Sequence, residues 1–261
     1  MRLILVPGNV FEDLGGNYVG PLSGHDLAAA QDALTRARRI DAVTLIHFLT
    51  EKGRGYGPAA DDPERAHGVK ARVPAKLPRP AEATATALRP TRKAFTSIFE
   101  AALVDCAEHD PRVHAITAAM PSGTGLSRFA ERFPERFHDT GITEQHAVAM
   151  AGGMASGGLK PVAAIYSTFL QRGYDQVFQE VALQRAPVVF ALDRGGLVGQ
   201  DGPTHMGLYD LAYLRPLPGF VLASPRDGTD LRRMLDAAIA ASDGPWALRW
   251  PRGDAADAIG S

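Results

Sequence analysis

Residues 141 to 158, GITEQHAVAMAGGMASGG, set an acid, Glu144, and a histidine, His146, immediately ahead of a run of alanine, methionine and glycine. An apolar, small-sided helix has no packing use for a carboxylate in its first turn. Two roles account for one there. The carboxylate can face the positive end of the helix dipole, which favours an anion in the first turn. Alternatively it is buried against a heterocycle and holds a ring nitrogen protonated. The small residues behind it, Ala147, Ala149, Ala151, Gly152 and Gly153, let such a helix pack closely on its neighbours. Periodicity alone leaves both readings open.

Other chemistries find less support in the spacing. PSGTGLS, residues 121 to 127, follows a strand-like run, but it lacks the Lys and Ser/Thr of a P-loop and the third glycine of a dinucleotide fingerprint. Its glycines before a short helix can bring backbone N–H groups near an anion, and a plain turn explains them equally well. His138 and His146 are not spaced like the histidine pairs of zinc enzymes, and EQH lacks the second histidine of a zincin helix. No metal site is expected from this chain alone. Nor is there a G-x-S-x-G elbow for serine hydrolysis.

The elements that must position Glu144 follow from hydrophobic patterning. Short branched runs at 42 to 49, 113 to 118, 160 to 166, 187 to 193, 219 to 224 and 245 to 250 read as strands. Between them, 25 to 39, 91 to 110, 144 to 157, 172 to 184 and 227 to 242 carry apolar residues at helical spacing. This alternation predicts an α/β fold with a parallel sheet. Residues 70 to 90 are rich in proline, alanine and charge without periodicity, and read as a linker. The expected organisation is a partial α/β segment over 1–69, which cannot close a core alone, and a self-sufficient domain over 91–255.

Composition narrows the partners. The 261 residues are 45% hydrophobic and 22% charged, ordinary for a soluble globular protein, and the formal net charge is −1. That balance gives no electrostatic case for nucleic acid or an anionic membrane, and favours a small neutral or anionic metabolite. The single cysteine, Cys106, excludes an internal disulfide framework and reads as core filling. The opening MRLILVPGNV is too short an apolar stretch for a signal peptide, and no run of about 18 apolar residues occurs, so a cytoplasmic protein is expected.

Longer matches narrow the reading further. AAMPSGTGL, RFAERFPERFHDTGITEQHAVAMAGGMASGGLKPVAAIYSTFLQRGYDQV, DRGGLVGQDGPTHMGLYDLAYLR and RWPRG closely resemble the 1-deoxy-D-xylulose-5-phosphate synthase family of transketolase-like, thiamine diphosphate-dependent enzymes. Upstream, VPGNVFEDLGGNYVGPLSGHD and TLIHFLTEKGRGYGPAADDPERAHGV are similar to the closing part of that family's first domain. The resemblance implies a transferase that condenses pyruvate with glyceraldehyde 3-phosphate with loss of carbon dioxide, supplying isoprenoid precursors. It implies that 1–69 is the remnant of a diphosphate-binding domain and that 91–255 is a pyrimidine-binding domain.

By the same resemblance, Glu144 shares a proton with a nitrogen of the cofactor's aminopyrimidine ring. Phe169 stacks on that ring, and Tyr166, Arg172 and Ile142 line the pocket beside it. Arg194, Asp201, His205, Arg252 and Tyr166 make the substrate side. Arginine suits carboxylate or phosphate because its guanidinium gives paired hydrogen bonds, and histidine suits proton transfer because its ordinary titration range is near neutrality. His25 resembles a first-domain active-site histidine, with Asp26 beside it placed to cap a helix. Ser23, Thr143, Met206 and Gly173 depart from the family's usual residues without removing a proposed catalytic group.

The family's magnesium and diphosphate stretch finds no match in this sequence, so the Mg2+ ligands are expected outside this chain and independent binding of thiamine diphosphate is expected to be weak. Three arrangements fit: a subunit of a split transketolase-like enzyme, with a partner or a second copy completing the site; a noncatalytic truncated paralogue that pairs with a complete synthase; or the product of a fragmentary gene. The first-domain remnant is expected to expose apolar surface.

Overall fold

The computed structural model describes residues 9–61 and 92–255. The chain divides into two compact units, Met1–Pro78 and Arg79–Ser261. The linker expected over 70–90 lies outside the described residues.

In the first unit, α1 (Asn9–Asp13), β1 (Asn17–Ser23), α2 (Leu27–Ala37), β2 (Thr44–Leu49) and α3 (Gly57–Ala60) follow in order. β1 and β2 pair in parallel, with Asn17 opposite Thr44 and Ser23 opposite Leu49, and α2 is the crossover. Asp26 caps α2: its Oδ1 accepts from the Ala29 N–H at 3.0 Å. β1 escaped the strand pattern because NYVGPLS carries glycine and proline, and its register shifts between Val19 and Leu22. Two strands and one crossover bury little. Leu14, Leu27 and Val43 are 81%, 83% and 84% exposed.

The second unit contains α4 (Phe95–His109), β3 (Val113–Thr117), α5 (Ser127–Arg132), β4 (Phe137–Asp139), α6 (Glu144–Ser156), β5 (Lys160–Tyr166), β6 (Val189–Asp193), α7 (Asp210–Leu214), β7 (Val221–Ala223), α8 (Gly228–Ala240) and β8 (Trp246–Arg249). The sheet order is β4-β3-β5-β6-β8-β7, and every neighbouring pair is parallel. Side chains alternate between two buried layers. Val113, Ala115, Val162, Ala164, Val189, Ala191 and Leu248 join the layer under α4 and α8. Ile116, Ala163, Ile165, Phe190, Leu192 and Ala247 join the layer under α6. A parallel sheet covered on both faces demands such continuous apolar strands, which is why their sequence reads without polar alternation. Asp227 starts α8 by accepting from the Thr229 and Asp230 N–H groups at 2.8 and 2.9 Å.

Two local expectations need correction. The single helix predicted over 172–184 is a 3-10 turn (Phe169–Gly173), one α-helical turn (Tyr174–Gln176) and a π-helical stretch (Val177–Ala182). It lies against α6 at a seam with no room for side chains: a Cβ on Gly152 would stand 3.0 Å from the Glu180 carbonyl oxygen, and one on Gly173 3.2 Å from that of Glu144. The mixed winding of this segment accompanies that backbone-to-backbone approach. Cys106 is only partly buried and donates to Asp236 Oδ1 at 3.4 Å, and burial, with that bond, pushes its thiol up to about 12.

The outer strand pair carries a histidine contact. His114 Nδ1 and His138 Nε2 lie 3.1 Å apart with their rings stacked at 5.4 Å. One ring must donate and the other accept, so the bond excludes a doubly protonated pair. Burial, then the neighbouring His138 and Arg136, lowers His114 from its ordinary 6.5, and burial lowers His138. Both shifts are downward, so the unfolded chain takes up protons first as pH falls. The stability this pair contributes is therefore complete above 6.5 and is lost as pH drops through the lowered values of the folded state. The urea midpoint is expected to fall between about pH 7.5 and 5.5, and His138→Phe should flatten that slope. An unchanged slope in the variant would assign the acid sensitivity to other groups.

Candidate active site

Because all six strands of the second unit's sheet run in one direction, their carboxyl ends share one edge. From β3 the chain goes to β4 on one side, then returns to β5 on the other. Ligands of open parallel sheets bind at such a reversal. A small cleft lies there, lined by Thr117 at the end of β3 and Ala118, Met120 and Thr124 after it, by Tyr166 at the end of β5 and Phe169 after it, and by Glu144.

Glu144 is the first residue of α6 and is 3% exposed. Its approach is fixed by Asp139 at the end of β4, whose Oδ1 accepts from the Ala119 N–H at 2.7 Å and the Gly141 N–H at 3.0 Å. Arg172 Nη1 comes within 3.2 Å of Glu144 Oε2, so the two form an ion pair, but its alignment does not make a hydrogen bond. Oε2 is left buried with no hydrogen-bond partner. A buried acceptor left unmade costs free energy, so this oxygen is poised for a donor from outside the chain. This is what a protonated ring nitrogen supplies, and the residues present fit an aminopyrimidine.

The aromatic wall is continuous. Tyr166 and Phe169 stack at 5.7 Å, and His205 meets the Phe169 ring edge-on at 5.2 Å. Burial pushes the Tyr166 phenol up to about 12, so it stays neutral at physiological pH. The Arg194 guanidinium lies over the Tyr166 ring at 4.3 Å. Asp201 Oδ2 sits 3.3 Å from Arg252 Nε and 3.6 Å from Arg194 Nε, one carboxylate between two guanidinium groups. His205 Nδ1 is 2.9 Å from the Thr204 hydroxyl.

The fold thus gathers Glu144, Tyr166, Phe169, Arg172, Arg194, Asp201, His205 and Arg252 around the carboxyl edge of one sheet. Ile142 follows the left-handed turn at Gly141 (φ +69°) on the loop before α6, is 68% exposed and is not among the residues lining the cleft. His25 belongs to the first unit, where its Nε2 accepts from the Glu51 N–H at 2.6 Å, leaving Nδ1 as the protonated nitrogen of the neutral ring. Sequence reasoning missed Asp139 and Asp193. The available signal was a lone acid ending an apolar strand, in FHD and FALD. Among the described residues no group of three or more His, Cys, Asp or Glu stands close enough to hold a metal, and no helix is long and apolar enough to cross a membrane.

The loop carrying Asp201 and His205 is closed at its base by Gly196 N–H to Gly207 O (2.7 Å) and Gly207 N–H to Gly196 O (3.0 Å). Arg249 braces it through Gly207 O at 3.0 Å and the buried Asp210 at 2.8 Å. A Cβ on Gly207 would collide with Ser167 Oγ and the Arg194 carbonyl oxygen. Gly207→Ala is expected to destabilise the fold by about 1–3 kcal/mol, measured by urea unfolding. A loss below about 0.5 kcal/mol would show that the loop base yields without cost.

The chain belongs to the transketolase family of thiamine diphosphate-dependent enzymes: the family model described as the transketolase pyrimidine-binding domain matches residues 91–256. A second model, 1-deoxy-D-xylulose-5-phosphate synthase, matches residues 1–50, which bears out the resemblance read from the motifs. The 1-deoxy-D-xylulose-5-phosphate synthase 1 of Geobacter sulfurreducens is 52% identical over 97% of this chain and 39% of its own length. The synthase of Aquifex aeolicus is 50% identical over 98% of this chain and 39% of its own length. The chain therefore spans about 39% of the length of these curated relatives. Among solved structures, a split-gene transketolase in an inactive β4 tetramer matches with 27% identity and a TM-score of 0.57, covering 64% of this chain and 54% of its own. A transketolase of Pichia stipitis shares the fold at 18% identity and a TM-score of 0.59, covering 96% of this chain and 49% of its own.

Proposed function

We propose that this chain supplies the aminopyrimidine half of a 1-deoxy-D-xylulose-5-phosphate synthase site, condensing pyruvate with glyceraldehyde 3-phosphate with loss of carbon dioxide. The observation that carries this reading is the buried Glu144 oxygen that lacks a hydrogen-bond partner at the switch point of the sheet. Relatives bearing that enzyme's name at about half identity support it.

When bound, thiamine diphosphate supplies the nucleophilic carbon and the electron sink that decarboxylation requires. The residues of this chain do the rest. Glu144 holds a proton against a nitrogen of the pyrimidine ring, with Arg172 beside it balancing the carboxylate charge when that proton moves. Phe169 and Tyr166 give the ring a flat apolar wall that keeps water away from the same carboxylate. Arg194 and Arg252 take the anionic ends of the substrates, where guanidinium groups give paired hydrogen bonds. His205, held edge-on by Phe169, stands on the substrate side as a proton donor or acceptor. The diphosphate and its magnesium are assigned to a partner chain of different sequence; the split-gene transketolase neighbour supports such an arrangement.

The test is formation of 1-deoxy-D-xylulose 5-phosphate by the chain in its native assembly, with magnesium and thiamine diphosphate. Glu144→Gln is expected to lower kcat by about 10²–10⁴-fold while leaving the unfolding midpoint nearly unchanged. Equal turnover in that variant would remove Glu144 from its role. With the purified chain alone, calorimetric titration is expected to give similarly weak binding of thiamine and of thiamine diphosphate. Markedly tighter binding of the diphosphate form would place a phosphate site in this chain.

A further inference from the structure

The proposed chemistry makes no use of Asp193, which closes β6 and is fully buried. A carboxylate persists in such a place only with donors around it. Three groups reach it: the Arg194 backbone N–H donates to Oδ1 at 2.7 Å, the Thr96 hydroxyl donates to Oδ2 at 2.5 Å, and Arg194 Nη1 forms an ion pair with Oδ2 at 3.0 Å. Two of the three belong to the next residue in the chain. Arg194 has φ +63°, the left-handed region that residues with a Cβ resist. Turned this way, its guanidinium covers the Tyr166 ring and donates to the Gly123 carbonyl oxygen at 3.0 Å. Its Nε is buried without a hydrogen-bond partner, and Asp201 at 3.6 Å is too distant to provide one.

We propose that Asp193 is a positioning residue. Its carboxylate pins the backbone N–H and the guanidinium of Arg194 at once, holding the strained turn so that the guanidinium keeps one orientation toward an anionic group of the substrate. Thr96, in the first turn of α4, ties the second oxygen and stops the carboxylate from rotating. The inference rests on the reading of Arg194 as an anion-binding group, and goes beyond it by naming what aims that group.

Two measurements on the whole chain separate the ideas. The first is the 15N–1H signal of Arg194 Nε, assigned by its disappearance in Arg194→Met. The signal is expected to be sharp in the unmodified protein and broadened in Asp193→Asn before any ligand is added, with a smaller change in Thr96→Val. The second is titration with inorganic phosphate at constant ionic strength, where Asp193→Asn should weaken binding about tenfold. An equally sharp Arg194 signal in Asp193→Asn overturns the proposal. Should that variant fail to fold, the same unchanged signal in Thr96→Val overturns it. If the unmodified chain binds phosphate no better than Arg194→Met does, the anion assignment of Arg194 fails, and the line shape still decides the role of Asp193.

Discussion

A parallel strand buried on both faces has no place for a polar side chain until it leaves the sheet. β6 obeys that constraint, β5 obeys it after Lys160, and β3 departs from it only at the half-buried His114 beside the short edge strand β4; Thr117, Tyr166 and Asp193 stand at their ends. Since the strands share one direction, those ends share one edge, and the candidate site is assembled there with no further device. The apolar layers set the spacing of these end residues, because each is held in register by its neighbour, Thr117 opposite Ala164 and Tyr166 opposite Asp193. The chemistry therefore depends on the packing of residues that never touch a ligand.

Glu144 solves a different problem. It is not at a strand end but at a helix start, so burial has to be imposed from outside. The carboxylate of Asp139 fixes the loop that delivers it, and the glycine seam at Gly152 and Gly173 lets α6 settle close to the irregular helical segment beside it. The result is an acid that touches Arg172 but keeps one oxygen without a hydrogen bond. A merely structural first-turn carboxylate would be solvated or would cap backbone N–H groups. Of the two readings that periodicity left open, this geometry supports the proposed one, burial against a ring.

Much of this was legible in the sequence. Six apolar runs predicted β2, β3, β5, β6, β7 and β8, most plainly β5 and β6, where a doubly covered strand leaves a run that needs no partner to be recognised. β4 was not legible, since three residues cannot establish a period. β1 hid behind its own glycine and proline, and the helical segment after β5 kept an ordinary pattern while winding irregularly, since periodicity reports which face is apolar and not how the turns are bonded. Asp139 and Asp193 were missed for a related reason. Each acts on backbone N–H groups, and a sequence shows which side chains are present but not which main-chain donors they meet.

The same distinction explains how the two arginines differ. Arg252 lies on a loop, pairs with Asp201 and donates to the Val198 carbonyl oxygen at 3.5 Å. Arg194 is bound at its backbone, at its guanidinium and over an aromatic ring, and its left-handed turn is maintained by a buried acid. A group meant only to neutralise charge gains little from such restraint, because Coulomb attraction is not directional. Restraint matters where a guanidinium must meet an anion at one angle, and where ordering a long side chain on binding would otherwise cost entropy. On the proposed reading, the strain at Arg194 follows from a site that fixes its anion-binding geometry before the substrate arrives, with Asp201, lodged between the two guanidinium groups, compensating their charges until then.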